Sequence, residues 1–260
     1  MEQKTFKKKI YSFYKKEGRD LPWRRTKNPY RIWVSEVMLQ QTQVSRVIPK
    51  YKEFLKKFPT INALAKAPLK DVLITWQGLG YNRRAKLLHE GAKYIEKEYK
   101  GIFPKNDLQK ISGIGPYTEA AIQAFAFNKA IPCIETNIRT VYTHYFFEDK
   151  KDVTDKEILK IVEETLDKNN PREWYWALMD HGSYLKQQGV QVNSKSKHYV
   201  KQSKFKGSDR EIRGAIVRVL SKGGKIKDLS YEKERMMAQV EKLKKEGMVV
   251  KKGRGLALAT

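Results

Sequence analysis

The sequence predicts a mainly α-helical protein, and three observations support this fold class. Apolar residues recur at three- to four-residue spacing along most of the chain, which is the period of an α-helix. Short segments that contain Gly, Pro or Asn separate these stretches. No alternation of apolar and polar residues, the pattern of a half-buried strand, appears before residue 247. The main body is therefore expected to be all-α.

Nine segments carry the helical spacing and are expected to form helices of ordinary length. In chain order they are 6–17, 32–41, 43–57, 69–76, 81–98, 116–128, 135–145, 155–168 and 171–186. The fifth segment shows the pattern clearly, because one stripe along it carries Ala85, Leu88, Ala92 and Ile95. The breaks between segments include "FPTIN", "GLGY", "GIFPKND" and "SGIGPY".

The C-terminal part of the chain differs in composition. Residues 190–207 are polar, basic and weakly periodic, as a linker would be, which sets the first domain at 1–189. Residues 208–260 then predict a compact unit with two amphipathic helices and a hairpin, in which "MVVKK" and "LALA" flank the turn "GRG". Two apolar helix faces support it: Ile212, Ala215, Ile216, Val219 and Leu220 on the first, and Met236, Val240 and Leu243 on the second.

This order of helices and hairpin suggests a small winged-helix-like module, with 232–246 as the helix that would enter a DNA groove. Residues 195–260 hold 19 Lys and Arg against 7 Asp and Glu. The basic surplus favours nucleic-acid contact over the alternative, a structural tail or a protein-docking module.

Net charge restricts the kinds of partner that the protein can have. The 260 residues carry a formal net charge of +25, with a pI near 9.9. Such a charge is far beyond what solubility needs, so a polyanion is the first partner to consider. The alternative is a lysine-rich surface that only interacts with solvent.

Cysteine and histidine usage argues against a metal or disulfide framework. Cys133 is the only cysteine, which excludes an internal disulfide and any four-cysteine metal or iron–sulfur site. The four histidines are scattered without ligand-like pairing, so no metal site is expected. No apolar run is long enough for a membrane span, and the basic N-terminus is not followed by an apolar signal core. An intracellular, cytoplasmic protein is therefore expected.

The segment 108–127, "LQKISGIGPYTEAAIQAFAF", contains a candidate phosphate site. Gly113 and Gly115 predict a tight turn between two helices. The unpaired N–H groups and the dipole at the start of the second helix favour an anion. A G-x-G sequence is also common in simple turns, so a purely structural connection is the alternative.

Two glutamates lie in apolar settings. Glu36 lies in "VSEVMLQQTQV", between Val34 and Val37. Glu135 follows the run "AIPCI" and precedes a helix, where it could act as an N-cap, with Arg139 one turn on as its natural ion-pair neighbour. A pair of carboxyl groups in different environments can supply the proton donor and the negative charge that cleavage of a glycosidic bond requires. Spacing alone does not establish that the two groups meet.

These motifs together resemble a known family. The segments "SEVMLQQTQV", "GLGY", "LQKISGIGPYTEAAIQAFAF", "ETNIRTVYTHYF" and "WALMDHGSYL" are similar to those of the helix-hairpin-helix DNA glycosylases, over roughly residues 6–186. Within that superfamily the chain most resembles the adenine DNA glycosylases, which remove adenine paired with oxidised guanine. The resemblance implies an all-α fold of two subdomains around a DNA-binding cleft, in which the target base is flipped out of the duplex.

The resemblance also implies roles for individual residues. Glu36 matches the glutamate that protonates the adenine base, and its apolar surroundings are expected to keep it protonated near neutrality. Gln40 and Gln41 match the amides that wedge into the helix around the mismatch, and Tyr81 matches the aromatic at the opposite base. The hairpin that grips a backbone phosphate matches Gly113, Ile114 and Gly115, with Thr118 also expected to contact DNA.

The chain departs from the family pattern at two candidate catalytic positions. The acid after the hairpin is normally aspartate, but here it is Glu135, although Asn137 matches the family asparagine. Tyr117 stands where adenine enzymes have serine and the endonuclease III relatives have lysine. Without that lysine no Schiff base can form there, so a monofunctional glycosylase with little lyase activity is expected. Tyrosine at this position is similar to the thymine/uracil mismatch glycosylases.

Two larger family features are also expected to be absent. The four-cysteine cluster that usually follows the "MDxG" helix has no counterpart in "KQQGVQVNSKSKHY", so no iron–sulfur cofactor is expected. The oxidised-guanine recognition domain also has no visible counterpart, and the winged-helix candidate stands in its place.

The sequence thus predicts a monomeric glycosylase of base excision repair that acts on mismatched or damaged double-stranded DNA. Adenine opposite guanine or 8-oxoguanine is the leading substrate. The alternatives are thymine or uracil opposite guanine, and a non-catalytic protein that only binds damaged DNA. The expected location is the nucleoid.

Overall fold

The computed structural model describes residues 1–197, 202–253 and 255–260. Within these ranges the chain forms twelve α-helices and one two-stranded sheet. The helices are α1 Gln3–Glu17, α2 Pro29–Leu39, α3 Val44–Lys57, α4 Ile61–Lys66, α5 Leu69–Thr75, α6 Arg83–Tyr99, α7 Pro116–Phe127, α8 Thr136–Phe146, α9 Asp155–Thr165, α10 Pro171–Gln187, α11 Asp209–Ser221 and α12 Lys233–Lys245. The strands are β1 Val249–Lys252 and β2 Gly255–Leu258. The predicted mainly α fold class is confirmed.

All nine predicted helices are present, and one short helix was missed. Helix α4 begins within "FPTIN", a segment that was predicted to be a break between helices. Thr60 begins it as an N-cap, because its hydroxyl oxygen accepts a hydrogen bond from the N–H of Ala63 at 3.1 Å. The segment predicted to be a turn therefore also contains the start of a helix. Helix α6 begins two residues later than predicted, since Tyr81 has a left-handed backbone with φ +48°.

The chain forms two compact units, and each is discontinuous in sequence. Unit 1 comprises Met1–Ile32 and Gly115–Lys201. Its core is aromatic: the ring of Phe6 on α1 packs edge-on against Phe146 and Trp174, at centroid distances of 4.9 and 5.8 Å. Such pairs add about 0.5–1.5 kcal/mol beyond the burial of their area. Helix α10 is thereby fixed in the centre of unit 1.

A buried carboxylate ties the N-terminal segment of unit 1 to α10. Asp180 is 3% exposed and accepts hydrogen bonds from both Arg19 and Arg24. The Arg24 contacts are both 2.7 Å, which is a bidentate pair. The side chain of Arg24 is itself largely buried, so loss of Asp180 would remove the carboxylate that neutralises a buried guanidinium, whereas loss of Arg24 would leave Asp180 with Arg19.

Unit 2 comprises Trp33–Ile114 and Gln202–Thr260. Its core contains Phe54, Trp76 and Leu88, all fully buried. The apolar stripe predicted for 81–98 is buried as expected. Gly91 permits close packing on this stripe, because a Cβ there would lie 2.7 Å from the carbonyl oxygen of Ser112 and from the ring of Trp33.

The C-terminal helices and hairpin pack within unit 2. Gln77, directly after α5, donates to Ser221 of α11 at 2.8 Å. The hairpin pairs antiparallel with Val249 opposite Leu258, as the sequence predicts; Arg254 of its turn lies outside the described residues. On α11 the buried apolar residues include Val217, whereas the predicted Val219 is only half-buried.

The boundaries 1–189, 190–207 and 208–260 stay predictions, and so does the winged-helix designation. Part of the predicted linker, residues 198–201, lies outside the described residues. The two units follow packing rather than chain order, because residues from Gln202 onward cluster with 33–114. None of the helices in the described ranges combines the length and apolar character needed to cross a membrane.

Candidate active site and nucleic-acid interface

The candidate acid Glu36 is buried within α2. It is 7% exposed, and its neighbours Val34, Val37 and Met38 are each 2% exposed or less. Burial in an apolar environment penalises the charged form of a carboxyl group. The apolar setting expected from "VSEVMLQQTQV" is therefore present in the structure.

Arg84 binds the C-terminal end of α2, the helix that carries Glu36. No role for Arg84 was predicted from the sequence. Its guanidinium donates to the carbonyl oxygens of Val37, Met38 and Gln40 at 2.8, 3.0 and 2.6 Å. The last carbonyls of a helix lack intrahelical partners, and a buried cation satisfies them well. Burial lowers the pKa of Arg84 to about 10, so it stays charged at neutral pH.

The same guanidinium also holds the "GLGY" segment. It donates to the carbonyl oxygens of Leu79 and Gly80, both at 3.1 Å. The indole N–H of Trp76 donates to Gly80 as well, at 3.1 Å. One buried side chain thus joins the candidate catalytic helix to the segment that carries Tyr81. The pair Arg83 and Arg84, which follows "GLGY" after Asn82, was the available sequence signal.

Gln41, a predicted wedge residue, and Tyr81, the predicted aromatic at the opposite base, both have left-handed backbones. Their φ angles are +53° and +48°, which are uncommon for residues with a side chain. Such conformations cost about 1–2 kcal/mol each, and they persist where surrounding contacts enforce them. Here the Arg84 network supplies those contacts on the Gln40 and Gly80 carbonyls.

Residues of the C-terminal segment contact Tyr81. Its hydroxyl oxygen accepts hydrogen bonds from Gln202 at 2.7 Å and from Arg210 at 2.8 Å. The amide of Gln202 also approaches the side-chain oxygen of Gln41, at 3.5 Å. Gln41 and Tyr81, two of the residues predicted to contact DNA, therefore lie on one surface of unit 2 together with Gln202 and Arg210.

The glycine hairpin has the expected local geometry at the start of α7. Gly113 has φ +84°, and a Cβ there would lie 3.2 Å from Leu87, so the position requires glycine. Ile114 is 5% exposed and anchors the turn. Gly115 is the N-cap of α7 and is exposed, with open space where a Cβ would stand. The segment before the turn is a 3₁₀ helix, Leu108–Lys110, rather than an α-helix.

Because Gly115 has no side chain, it supplies no capping hydrogen bond to α7. The first N–H groups of a helix have no intrahelical acceptor, so an approaching phosphate oxygen could take this place. Thr118, the third residue of α7, is 3% exposed. Tyr117 is half-buried in the same first turn.

Glu135 is the N-cap of α8, as its position before a helix predicted. Its Oε1 accepts from the N–H groups of Asn137 and Ile138 at 2.7 and 2.8 Å. The amide of Asn137 donates to Oε2 at 3.3 Å. The predicted ion pair with Arg139 is wrong, because Arg139 is bound bidentately by Asp155 at 2.8 and 2.9 Å. Asp155, the first residue of α9, outcompetes the carboxylate already committed to the helix cap.

Lys186 lies close to the Glu135 and Asn137 pair, and no pattern in the sequence indicates this position. Its ammonium donates to the side-chain oxygen of Asn137 at 2.8 Å. Burial lowers the pKa of Lys186 below its usual range, although the charge of Glu135 opposes that shift. Close packing of α10 on α8 enables this contact, since a Cβ on Gly182 would lie 2.3 Å from the carbonyl oxygen of Asn137.

The residues present do not fit a four-cysteine iron–sulfur cluster. Cys133, the only cysteine in the chain, is buried and precedes α8. The end of α10, where the family resemblance would place cluster ligands, instead carries Lys186 with its hydrogen bond to Asn137. No step in the proposed reaction therefore involves a cluster.

The predicted site residues divide between the two units. Glu36, Gln40, Gln41, Tyr81, Gly113 and Ile114 lie in unit 2, with Glu36 and Tyr81 linked through the Arg84 network. Gly115, Tyr117, Thr118, Glu135 and Asn137 lie in unit 1, with the last two joined by hydrogen bonds. A helical fold with a glycine hairpin and a buried carboxyl group on α2 is typical of helix-hairpin-helix repair proteins.

A family model described as "HhH-GPD superfamily base excision DNA repair protein" matches residues 34–168, just over half of the chain. The chain therefore belongs to this superfamily. Among curated relatives, the adenine DNA glycosylase of Buchnera aphidicola subsp. Acyrthosiphon pisum (strain APS) is 37% identical over 193 residues, covering 71% of this chain and 55% of that protein. The adenine DNA glycosylase of Homo sapiens is 34% identical, covering 69% of this chain and 35% of that protein.

A solved structure of a thermostable thymine-DNA glycosylase superposes with a TM-score of 0.65 at 26% identity. The superposition covers 76% of this chain and 96% of the thymine-DNA glycosylase chain. The chain spans about half of the Buchnera protein and a smaller share of the human one. The predicted resemblance to helix-hairpin-helix glycosylases, and to adenine DNA glycosylases among them, is confirmed.

Proposed function

We propose that the protein is a DNA N-glycosylase of base excision repair that releases adenine paired with guanine or 8-oxoguanine. The observation that carries this proposal is the burial of Glu36 among apolar side chains on α2. Adenine leaves the sugar readily only when it is protonated, and a neutral carboxyl group is the state that can donate the proton. The identity of 37% to an adenine DNA glycosylase supports adenine as the base.

In this mechanism Glu36 donates its proton to the flipped-out adenine, and the N-glycosidic bond breaks with an oxocarbenium-like sugar. Glu135 supplies the opposing negative charge, held in place by the two N–H groups of its helix cap. Asn137 lies between Glu135 and Lys186 and fixes the position of both side chains. Water then adds to the sugar carbon and loses a proton to the carboxylate of Glu36, which restores the acid.

DNA would be bound through three sets of contacts. The open N-terminus of α7 at Gly113, Ile114 and Gly115 would hold a backbone phosphate. Gln40, Gln41 and Tyr81 would enter the duplex around the mismatch, on the surface that also carries Arg210. The net charge of +25 supplies the salt-dependent attraction to phosphates.

We propose further that the enzyme is monofunctional, free of an iron–sulfur cluster and monomeric. Tyr117 has no amine with which to form a Schiff base. The chain offers one cysteine where a cluster needs four. Borohydride trapping with abasic DNA, iron analysis of the purified protein and light scattering test the three statements separately.

Release of thymine or uracil opposite guanine is the second candidate. It is favoured by Tyr117 and by the similarity to a thymine-DNA glycosylase, whose chain is covered over 96% of its length. A protein that binds damaged DNA without turnover is the third, because Glu135 replaces the usual aspartate.

One experiment separates these candidates. Labelled duplexes with A opposite G, A opposite 8-oxoguanine, T opposite G or U opposite G are incubated with excess enzyme and then treated with alkali. Adenine release supports the proposal, pyrimidine release supports the second candidate, and binding without cleavage supports the third. Glu36→Gln should abolish release while preserving DNA affinity; turnover by this variant would show that another group is the acid.

A further inference from the structure

A cavity in unit 2 lies beside the proposed wedge residues and has no role in the chemistry described so far. Its volume is about 410 Å³. This is within the range of about 300–1,000 Å³ typical of small-molecule sites, so one nucleobase fits. The lining combines residues 40–41, residues 80–84 with Leu87, and the C-terminal residues Arg210, Arg213, Gly214 and Glu246.

The cavity is positively charged, and among the described residues two of its arginines, Arg83 and Arg210, form no ion pair. The lining includes four arginines and a single carboxylate, Glu246. Glu246 is paired with Arg213, and Arg84 is occupied by backbone carbonyls. Arg210 donates only to neutral oxygens, on Tyr81, Ser203 and Lys204. Within the described parts of the chain, no carboxylate forms an ion pair with Arg210, so its charge remains available to a ligand.

Arg210 is also held beside an aromatic ring. Its guanidinium carbon lies 5.1 Å from the ring centroid of Tyr81, and its N–H donates to the Tyr81 hydroxyl at 2.8 Å. The carbonyl oxygen of Ser203 accepts from its other nitrogen at 2.6 Å. A guanidinium next to an aromatic face is suited to a planar, polar ligand, since stacking is available there and the acceptors of the ligand can replace the neutral oxygens that its N–H groups now contact.

We infer that this cavity receives the base opposite the excised one and that Arg210 determines specificity by donating to the O6 and N7 acceptors of guanine. The inference rests on the proposed function. Guanidinium groups recognise this acceptor pair bidentately in the major groove of DNA. A base is favoured over a phosphate as the ligand, because binding a phosphate requires neither a cavity of this volume nor an aromatic ring. Residue 210 lies outside the matched family region 34–168, so the chain's own C-terminal module supplies the contact.

The contact has a consequence for oxidised guanine. In 8-oxoguanine the N7 atom carries a hydrogen, so it becomes a donor and faces the N–H groups of Arg210. The Arg210 contact therefore favours unmodified guanine over 8-oxoguanine as the opposite base.

The test measures binding to duplexes that carry a stable abasic-site analogue opposite guanine, 7-deazaguanine or cytosine. 7-Deazaguanine lacks only the N7 acceptor. Wild-type protein should bind the guanine duplex about 10- to 150-fold more tightly than the 7-deazaguanine duplex, the range for loss of one hydrogen bond from a charged donor. Arg210→Gln should bring this ratio close to one, because its amide lacks the charge and the two donor nitrogens of the guanidinium. Arg210→Lys should keep part of the ratio, because an ammonium can also donate to O6 and N7.

Lys227→Gln is the matched control, because Lys227 is an exposed cation on the same module that does not line the cavity. It should leave the ratio unchanged. If Arg210→Gln weakens binding to all three duplexes equally and Arg210→Lys restores that binding, Arg210 contacts a phosphate and the inference is overturned. A wild-type ratio near one would also overturn it. Thermal unfolding of each variant verifies folding, and adenine release by wild-type protein tests the proposed function independently.

Discussion

Replacing Arg84 with lysine should destabilise the protein through loss of hydrogen bonds rather than loss of charge. The guanidinium makes six contacts of 2.6–3.2 Å, five of them to backbone carbonyls, and the residue is 8% exposed. An ammonium has three donors, so several of these acceptors must lose their partner. Each buried acceptor left unsatisfied costs about 1–3 kcal/mol. Allowing for rearrangement, we expect Arg84→Lys to lower the free energy of unfolding by about 2–4 kcal/mol.

Urea unfolding at neutral pH measures this loss, with the midpoint reduced and the slope unchanged. Because about 1 kcal/mol shifts the melting temperature by roughly 2–4 °C in chains of this size, calorimetry should show a decrease of about 5–15 °C. Arg83→Lys is the matched control, since Arg83 is the exposed neighbour and should change the unfolding free energy by less than about 0.5 kcal/mol. If Arg84→Lys unfolds within about 0.5 kcal/mol of wild type, the carbonyl network does not brace α2 as described.

Three further predictions concern pH, packing and turnover. Burial lowers the pKa of His181 to about 4, below its unfolded value near 6.5, so stability should fall as pH decreases from about 6.5 to 4. The slope of unfolding free energy against pH should be flatter in His181→Gln; an unchanged slope would assign the acid sensitivity to other groups. Gly91→Ala should cost about 1–3 kcal/mol in chemical denaturation, because its Cβ would overlap Ser112 and Trp33, whereas Gly214→Ala meets open space and should stabilise by about 0.4–1 kcal/mol. Lys186→Met removes the hydrogen bond to the side chain of Asn137, so it should slow single-turnover base release by about 10- to 100-fold at unchanged DNA affinity. An unchanged rate would show that Lys186 has no part in the reaction.

Features encoded in neighbouring residues could be predicted from the sequence. The burial of Glu36 follows from the valines and methionine around it, and the N-cap role of Glu135 follows from its place between an apolar run and a helix. The hairpin at Gly113 follows from its glycine pattern. In each case the decisive contact is made within a few residues along the chain.

Features that depend on distant partners could not be predicted in this way. Arg84 meets carbonyls more than forty positions earlier, and Arg210 meets Tyr81 across 129 positions. Periodicity reports which face of a helix is buried, but it carries no information on which buried cation meets which acceptor. The misassigned partner of Arg139 has the same cause, because Asp155 lies sixteen positions further along the chain.

The bidentate grip of Arg24 on Asp180 has a consequence for the order in which the chain folds during synthesis. The two residues are separated by 156 positions, and the whole segment 33–114 lies between them. The N-terminal helix of unit 1 therefore emerges from the ribosome long before α10 exists to receive it. Until then its apolar face, with Phe6 and Ile10, has no partner from α10. We expect this helix to depend on a chaperone or on the ribosome surface during that interval.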